Sequence, residues 1–499
     1  MISKLLIPSS VVFTPLKYIY GLHDFIFAET LAASDSFRLA NDSSLHQTIF
    51  VPIDKAYADC VDTEEVLKQV RYNFIDDSIN LRNVTHNDLL ETKYNLKSLN
   101  GAGQMIKVTK VDGKTYLNNR VQVLGDAGIF LNKLVSNIVH SGNTSIYEIA
   151  GQLSPPGTLR PTSSQGLSLF RSFHHLVSTG LDQRVLFDEN AITVLLPVDR
   201  AWNRLGLTEK YLLSDESGNA LRKVMLHGVL KGIHYSKNFS SKPKTYTTLN
   251  NDKVTIHANG DNLIFDDINL KMTMDERDIL SANGVAHSLS EIPIPSSVII
   301  TPENLINATG SSSWREILEE YNVTMYLDLN ENHTLFIPSD EAINKSPLAS
   351  LNRDAMQQLI KFHIIPPVDG RPPPDLLSDT PVMQKTLAGS SISVHRVYND
   401  VWSIQVNDSS NSARILDQGK TTNGAQILLI DQVLFEPTDI KWSWAKPLAV
   451  IIFAVAMTVI VASGVNYGIR SWQRRNETKP LFHSADPAES EPFLNGGTS

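Results

Sequence analysis

The chain has 499 residues, with 44 Lys and Arg against 53 Asp and Glu, a net charge of −9 and an isoelectric point near 5.9. This mild acidic balance gives no basis for nucleic-acid binding and mostly means solubility. The length corresponds to about three domains, 42% apolar content suffices for real cores, and a single cysteine excludes an intramolecular disulfide.

Residues 1–15 are read as a signal remnant. Lys4 precedes the apolar residues 5–7 and 11–13, but Pro8 and Pro15 break the run and no small-residue cleavage site stands out. This favours a true start upstream of Met1. Residues 21–39 read as a helical lead-in to a first domain, which begins at residue 16.

The stretch TIFVPIDKAY, residues 48–57, then appears. It recurs as TVLLPVDRAW at 193–202 and TLFIPSDEAI at 334–343. The fixed positions are Thr48, Pro52 and Asp54, then Thr193, Pro197 and Asp199, then Thr334, Pro338 and Asp340, each Asp followed two residues later by Ala. Three consecutive apolar residues predict a short strand buried on both faces. Proline removes an amide donor and ends the ladder. The aspartate falls where the N-cap of a following helix is expected. A catalytic carboxylate is the competing reading, but no acidic, His or Ser companions recur at fixed spacing. Cys60, just after the first copy, reads as a buried apolar residue.

Each copy is followed by similar parts. An apolar helix ends at Tyr72-Asn73, Leu226-His227 or Phe362-His363. A short strand led by Ser98-Leu99, Thr248-Leu249 or Thr386-Leu387 comes next. A hairpin then turns at Asp112-Gly113, Asn259-Gly260 or Asn399-Asp400, with apolar residues alternating on either side. The closing strands start at Asn143, Asn283 and Asn423, 140 residues apart each time. That period is a whole domain rather than a solenoid repeat. Residues 154–165 and 293–302 read as linkers, and residues 371–376 as a stiff proline-rich loop.

Sequons occur at Asn41, Asn83, Asn143, Asn238, Asn307, Asn322, Asn332, Asn344 and Asn407, which fits a lumenal or extracellular glycoprotein. Residues 447–469 form 23 uncharged, mostly apolar residues, roughly 35 Å as a helix and enough to span a bilayer. Trp442 and Trp444 precede them, and Arg470, Arg474 and Arg475 follow, favouring a cytosolic C-terminus. The polar tail, 470–499, reads as disordered. Within it Glu477 with Leu481 and Phe482, and Glu489 with Phe493 and Leu494, resemble acidic dileucine-type sorting signals for adaptor proteins.

These motifs together resemble the fasciclin (FAS1) domain family. Its members carry a Thr-apolar-Phe-x-Pro-x-Asp-x-Ala strand, a central aromatic-His pair and a closing Asn-Gly-apolar-x-His strand. Here the closing strand is NGVAHSLS from Asn283 and NGAQILLID from Asn423; the first copy departs, with Asn73 in place of His and Asn143-Thr144 in place of Asn-Gly. The resemblance implies an α+β fold class. It comprises three tandem FAS1 domains at 16–156, 157–297 and 298–437, each a wedge of small β-sheets with packed helices. A juxtamembrane stem at 438–446 and one transmembrane α-helix complete the plan. The family's central motif, linked in animal members to receptor adhesion, maps here to Leu226, His227, Phe362 and His363; a ring buried against the core is the plainer reading.

No H-E-x-x-H, G-x-S-x-G, phosphate-binding glycine loop or paired zinc cysteines occur in the sequence. His174-His175 read as packed or solvated, and residues 328–333 imitate a calcium loop without its Gly and its closing acid. The expectation is therefore non-catalytic, with no cofactor and no metal. It is a type I single-pass membrane glycoprotein whose domains bind a protein, a glycan or an apposed membrane, the triple array adding weak contacts. The plan also resembles fungal vacuole-membrane proteins with FAS1 domains, which implies vacuolar fusion or autophagosome delivery. A cell-surface adhesion protein is the first alternative. A small-ligand receptor or enzyme with an inter-domain pocket is the second.

Overall fold

The buried signature strand organises each of three successive repeats. The structure, a computed structural model, describes residue 19 and residues 25–34, 36–42, 44–57, 70–124, 144–158, 189–378, 380–398, 401–407 and 412–435. The chain divides into two units, Met1–Leu434 and Phe435–Ser499, and every element below belongs to the first.

In the first repeat, helices α1 (Phe25–Ala33) and α2 (Phe37–Asn41) lead to β1 (Gln47–Pro52). Then come β2 (Phe74–Ile75), β3 (Leu89–Asn95), β4 (Gly103–Val111), β5 (Lys114–Leu117), β6 (Val121–Gln122) and β7 (Thr144–Ile149). They form one seven-stranded sheet of order β6-β5-β4-β3-β2-β1-β7. The second repeat runs β8 (Ile192–Pro197), α3 (Asp199–Leu205), α4 (Leu207–Leu213), α5 (Ala220–His227) and β9 (Val229–Lys231). It continues with β10 (Lys244–Thr247), β11 (Lys253–Asn259), β12 (Asn262–Phe265), β13 (Leu270–Thr273), β14 (Ile279–Ser281) and β15 (Gly284–Leu289). Its strands make two four-stranded sheets, β10-β11-β12-β13 and β14-β15-β8-β9.

The third repeat begins with α6 (Pro302–Thr309) and α7 (Ser312–Glu320), then β16 (Thr334–Pro338), α8 (Asp340–Lys345) and α9 (Arg353–Phe362). Strands β17 (Ile364–Ile365), β18 (Val382–Lys385), β19 (Ser391–Tyr398), β20 (Val401–Val406), β21 (Ser412–Lys420) and β22 (Gln426–Ile430) follow. The sheet is again seven-stranded, in the order β17-β16-β22-β21-β20-β19-β18.

In every repeat the signature strand lies parallel to the closing strand: β1 beside β7, β8 beside β15 and β16 beside β22. Parallel pairs need cover on both faces, and all three signature strands are buried along their whole length. Each ends at its proline, Pro52, Pro197 or Pro338. The first hairpin turns at Asp112-Gly113, both at positive φ (49° and 74°), as a primed turn requires. The second turns one residue later than the sequence suggests: Asn259 pairs with Asn262, leaving Gly260-Asp261 at the tip.

Several expectations are corrected. The Ser98-Leu99, Thr248-Leu249 and Thr386-Leu387 pairs do not lead strands. They sit in turns just after β3, β10 and β18, closed by bonds such as Thr248 N–H to Asp252 O at 2.9 Å and Thr386 N–H to Ser390 O at 3.0 Å. Two small sheets occur only in the second repeat. There residues 275–278 interrupt the ladder between β13 and β14, with Met274 making only an isolated bridge to Leu289, whereas the nine-residue β21 of the third repeat runs through the equivalent gap with one bulge.

Among the described residues no helix is long and apolar enough to cross a membrane. The ten residues of α9 reach only about 15 Å. The fold expectation that included a transmembrane helix is therefore corrected, because no helix among the described residues supports it. Residues 447–469 lie outside the described residues. So do the signal remnant 1–15, the stem 438–446, the tail motifs, Asn143, Cys60 and His174-His175.

The second and third repeats meet closely. A Cβ on Gly206, at φ +52°, would stand 2.3 Å from both Asp417 Oδ1 and Gln418 O. Lys210 and Asp417 pair across the junction at 2.6 Å. Gly206→Ala should therefore destabilise by about 2 to 3 kcal/mol, read as a lower urea midpoint. An unchanged midpoint would show that the junction yields freely.

Candidate functional site

The conserved-looking signature hydroxyls face inward. Thr48 donates to Asp77 O at 2.6 Å and accepts from Ile79 N–H at 2.8 Å. Thr193 repeats this with Gly232 O at 2.8 Å and His234 N–H at 2.7 Å. Thr334, also buried, accepts from Gln426 N–H at 3.4 Å. Thr48 and Thr193 thus pin the loop that follows the second strand, whereas Thr334 meets the closing strand β22.

The signature aspartates are not N-caps of the helix they begin. Asp199 and Asp340 are the first helical residues, and the cap of α8 is Ser339, which accepts from Ala342 N–H. Instead the carboxylate reaches back to the preceding helix. Asp54 accepts from Ile26 N–H at 2.9 Å, and Asp340 accepts from Ser313 N–H at 3.0 Å and from the Ser311 and Ser312 hydroxyls. A carboxylate there satisfies orphan amides and meets the positive end of the helix. Burial pushes the Asp340 carboxyl up, but the hydrogen bonds from Ser313, Ser312 and Ser311 outweigh it and hold it below its ordinary value.

The central motif is equally inward. Leu226, His227, Phe362 and His363 are all buried, so none offers a surface for adhesion. His363 donates from Nδ1 to Leu359 O at 2.8 Å, and its Nε2 accepts from Leu434 N–H at 2.9 Å. Burial pushes it down to about 4. His227 has no hydrogen-bond partner among the described residues, and its Nδ1 lies 3.9 Å from Asp252 Oδ2. Burial lowers its pKa against the opposing pull of Asp267 and Asp252. In the first repeat Asn73 fills the histidine's place and donates to Phe50 O at 2.9 Å.

A polar cluster between the first and second repeats was not legible in the sequence. Lys107, Asp278 and His287 are buried there. Asp278 accepts from Ser236 N–H at 2.8 Å and from its hydroxyl at 2.5 Å. Lys107 Nζ donates to Arg277 O. These groups are committed to one another and to backbone, which argues against an inter-domain ligand pocket at this place. Among the described residues no group of three His, Cys, Asp or Glu could hold a metal ion.

An open cleft of about 490 Å³ lies on the third repeat, between α6, α7 and the turn after α7. Met325, 65% exposed, and the half-buried Leu327 supply apolar surface over the buried Ile306. Glu303, Glu319 and Asp328 line it with one guanidinium, Arg315, which pairs with Glu319 at 3.0 Å. An apolar surface with excess carboxylate suits a cationic, partly apolar side chain.

The sequons separate by exposure. Asn41, Asn83, Asn238, Asn322, Asn344 and Asn407 are exposed. Asn307 is half-buried, its amide donating to Glu216 Oε2 at 3.4 Å across the junction with the second repeat. Asn332 donates to Gly370 O at 3.0 Å, and its sequon hydroxyl, Thr334, lies in the core.

Comparison with known proteins places this geometry. The fasciclin domain model matches residues 168–295 and 309–437. A FAS1 domain-containing protein of Saccharomyces cerevisiae is 25% identical over 486 residues, covering 91% of this chain and 52% of its own length. Mouse stabilin-2 is 27% identical over 216 residues, covering 39% of this chain and 8% of its own, and rat stabilin-2 is 26% identical over 215 residues. A solved FAS1 domain pair from the insect cell adhesion molecule fasciclin I is 18% identical, covers 55% of this chain and 99% of that one, and has a TM-score of 0.25. This chain thus spans about half the length of its yeast relative. Two repeats match the family model where three were expected. The first keeps the parallel pairing of signature and closing strands but has lost the central His and the closing Asn-Gly.

His363 generates a pH prediction. Its folded pKa lies below the unfolded value of 6.5, so its contribution to stability is complete above that value and is lost as the pH falls towards about 4. The span corresponds to about 3 kcal/mol. Urea midpoints measured from neutral to acid pH should fall accordingly, and His363→Gln should remove that share of the slope. An identical slope in the variant would contradict the assignment.

Proposed function

Because the chain belongs to the fasciclin domain family, we propose that it is a non-catalytic adhesion or interaction protein of an extracytoplasmic compartment, binding a partner through its folded repeats. The observation that carries this reading is an asymmetry. The motif residues Thr48, Thr193, Asp54, Asp340 and His363 are hydrogen-bonded inside the repeats and His227 is buried, whereas the acidic apolar cleft of the third repeat is open. Exposed sequons at Asn83, Asn238 and Asn322, with Thr85, Ser240 and Thr324 also exposed, are compatible with a glycosylated surface. The relatives are compatible with it too. The finer reading places the protein at the fungal vacuole, in membrane fusion or autophagosome delivery, with a protein or glycan as ligand. Adhesion at the cell surface is the second reading.

Beads coated with the full chain should cluster isolated fungal vacuoles, and Met325→Glu should abolish most of the clustering. Clustering of intact cells but not vacuoles would favour the cell-surface reading. No clustering of either, or clustering indifferent to Met325, would sink the proposal. Separately, Asn83→Gln, Asn238→Gln and Asn322→Gln should each remove one endoglycosidase-sensitive mass increment, whereas Asn332→Gln should remove none. A chain with no such increment at all would refute extracytoplasmic residence.

A further inference from the structure

Among the described residues the first and second repeats are joined mainly through one short segment, residues 277–282, which carries β14. Ser98 Oγ donates to Ala282 O at 2.5 Å, and Gln104 Nε2 donates to Ser281 O at 2.8 Å. Lys107 Nζ donates to Arg277 O. In return Ala191 N–H donates to Ser98 O at 2.7 Å. Three of the four bonds therefore end on carbonyls of residues 277–282. Met105 on one side and Tyr235, Leu280 and Val285 on the other complete the contact with a small apolar cluster.

Within that segment β14 is laddered to β15 and the Asp278 carboxylate is held by Ser236, while the backbone of Asp278, where the segment enters β14, rests on one imidazole. His287, fully buried on β15, accepts from Asp278 N–H at Nδ1, 3.2 Å away, and directs Nε2 at His234 O, 2.9 Å away. A carbonyl can only accept, so Nε2 carries the proton and Nδ1 must be bare. Both contacts are met only by the neutral ring. A proton on Nδ1 would set two N–H groups against each other at Asp278 and expel the loop.

The charges around the ring are mixed. Asp278 favours its protonation, while Lys107 and Arg277 oppose it, and Glu276 faces Lys107. Burial adds to the opposition, so His287 holds the loop through neutral pH and loses its grip only in acid. The other repeats do the same job without a titrating ring. In the first, Tyr147 occupies the equivalent place: its hydroxyl donates to Ile79 O at 2.9 Å and accepts from Leu81 N–H at 3.1 Å. In the third the equivalent residue by strand register is the buried Leu428.

We propose that the junction between the first and second repeats is an acid-released latch, with His287 as the group whose protonation frees residues 277–282 and uncouples the two repeats. The contribution of the neutral ring is complete above the unfolded histidine value and declines as the pH falls below it.

Amide hydrogen exchange on the full chain, corrected for intrinsic rates, tests this. The opening seen at Asp278 and Ala191 should rise about tenfold per pH unit once acid titration begins, while the β1 and β7 ladder stays protected. In His287→Gln the acid dependence at Ala191 should vanish. Pair-wise opening of all three reporters would mean global unfolding and overturn the latch, as would wild-type acid dependence in His287→Gln. If that variant does not fold, Lys107→Met decides: Ala191 should exchange faster already at neutral pH while Asp278 keeps its acid response. Exchange at Ala191 equal to wild type would refute the coupling.

Discussion

The parallel contact between signature and closing strands is the constraint from which each repeat is built. It joins residues far apart in sequence, such as Gln47 with Thr144 and Ile192 with Gly284. A parallel pair cannot be made by a tight turn and must be covered on both faces. The helices and hairpins between the two strands provide that cover. The signature strand also takes the short strand after it, antiparallel, on its other edge. Gly284 shows how little room remains: a Cβ there would stand 2.0 Å from Ile192 O.

Around this pair the repeats satisfy the same backbone groups with different side chains. The loop after the second strand is pinned by Thr48 and Tyr147 in the first repeat, and by Thr193 and His287 in the second. Asn73 in the first repeat and the tautomer-fixed His363 in the third both bond backbone from the same position. Buried polar groups are mostly paired, and at each of these two places two of the three copies keep a hydrogen bond while the residue type changes; His227 and the apolar residue of the third closing strand are the exceptions. A family pattern written as residue types therefore thins out in the first repeat even though its strand pairing does not.

The junctions alter how the array acts. Among the described residues four hydrogen bonds link the first repeat to the second. Close glycine packing and the pair of Lys210 with Asp417 link the second to the third. Flexible-linker arithmetic, in which each domain searches for its own ligand, does not describe such contacts. A partner meets a joined surface, and a change at one junction alters how neighbouring repeats are presented to it.

Local pattern was enough to determine the three signature strands, their ends at Pro52, Pro197 and Pro338, the helix or helical turn after each, and the hairpins around Asp112-Gly113 and Gly260. These depend on residues adjacent in sequence, where apolar runs, proline and turn residues act directly on backbone geometry. The direction of the Asp54 and Asp340 carboxylates was not legible, because the helix each one caps lies 28 or 27 residues upstream. Nor was the inward commitment of His363, which depends on Leu434, or the grip of Ser98 on Ala282, 184 residues away. Sequence spacing carries no information about which distant backbone amide will be left unpaired beside a side chain. That is decided only when the strands pair and the repeats close on one another.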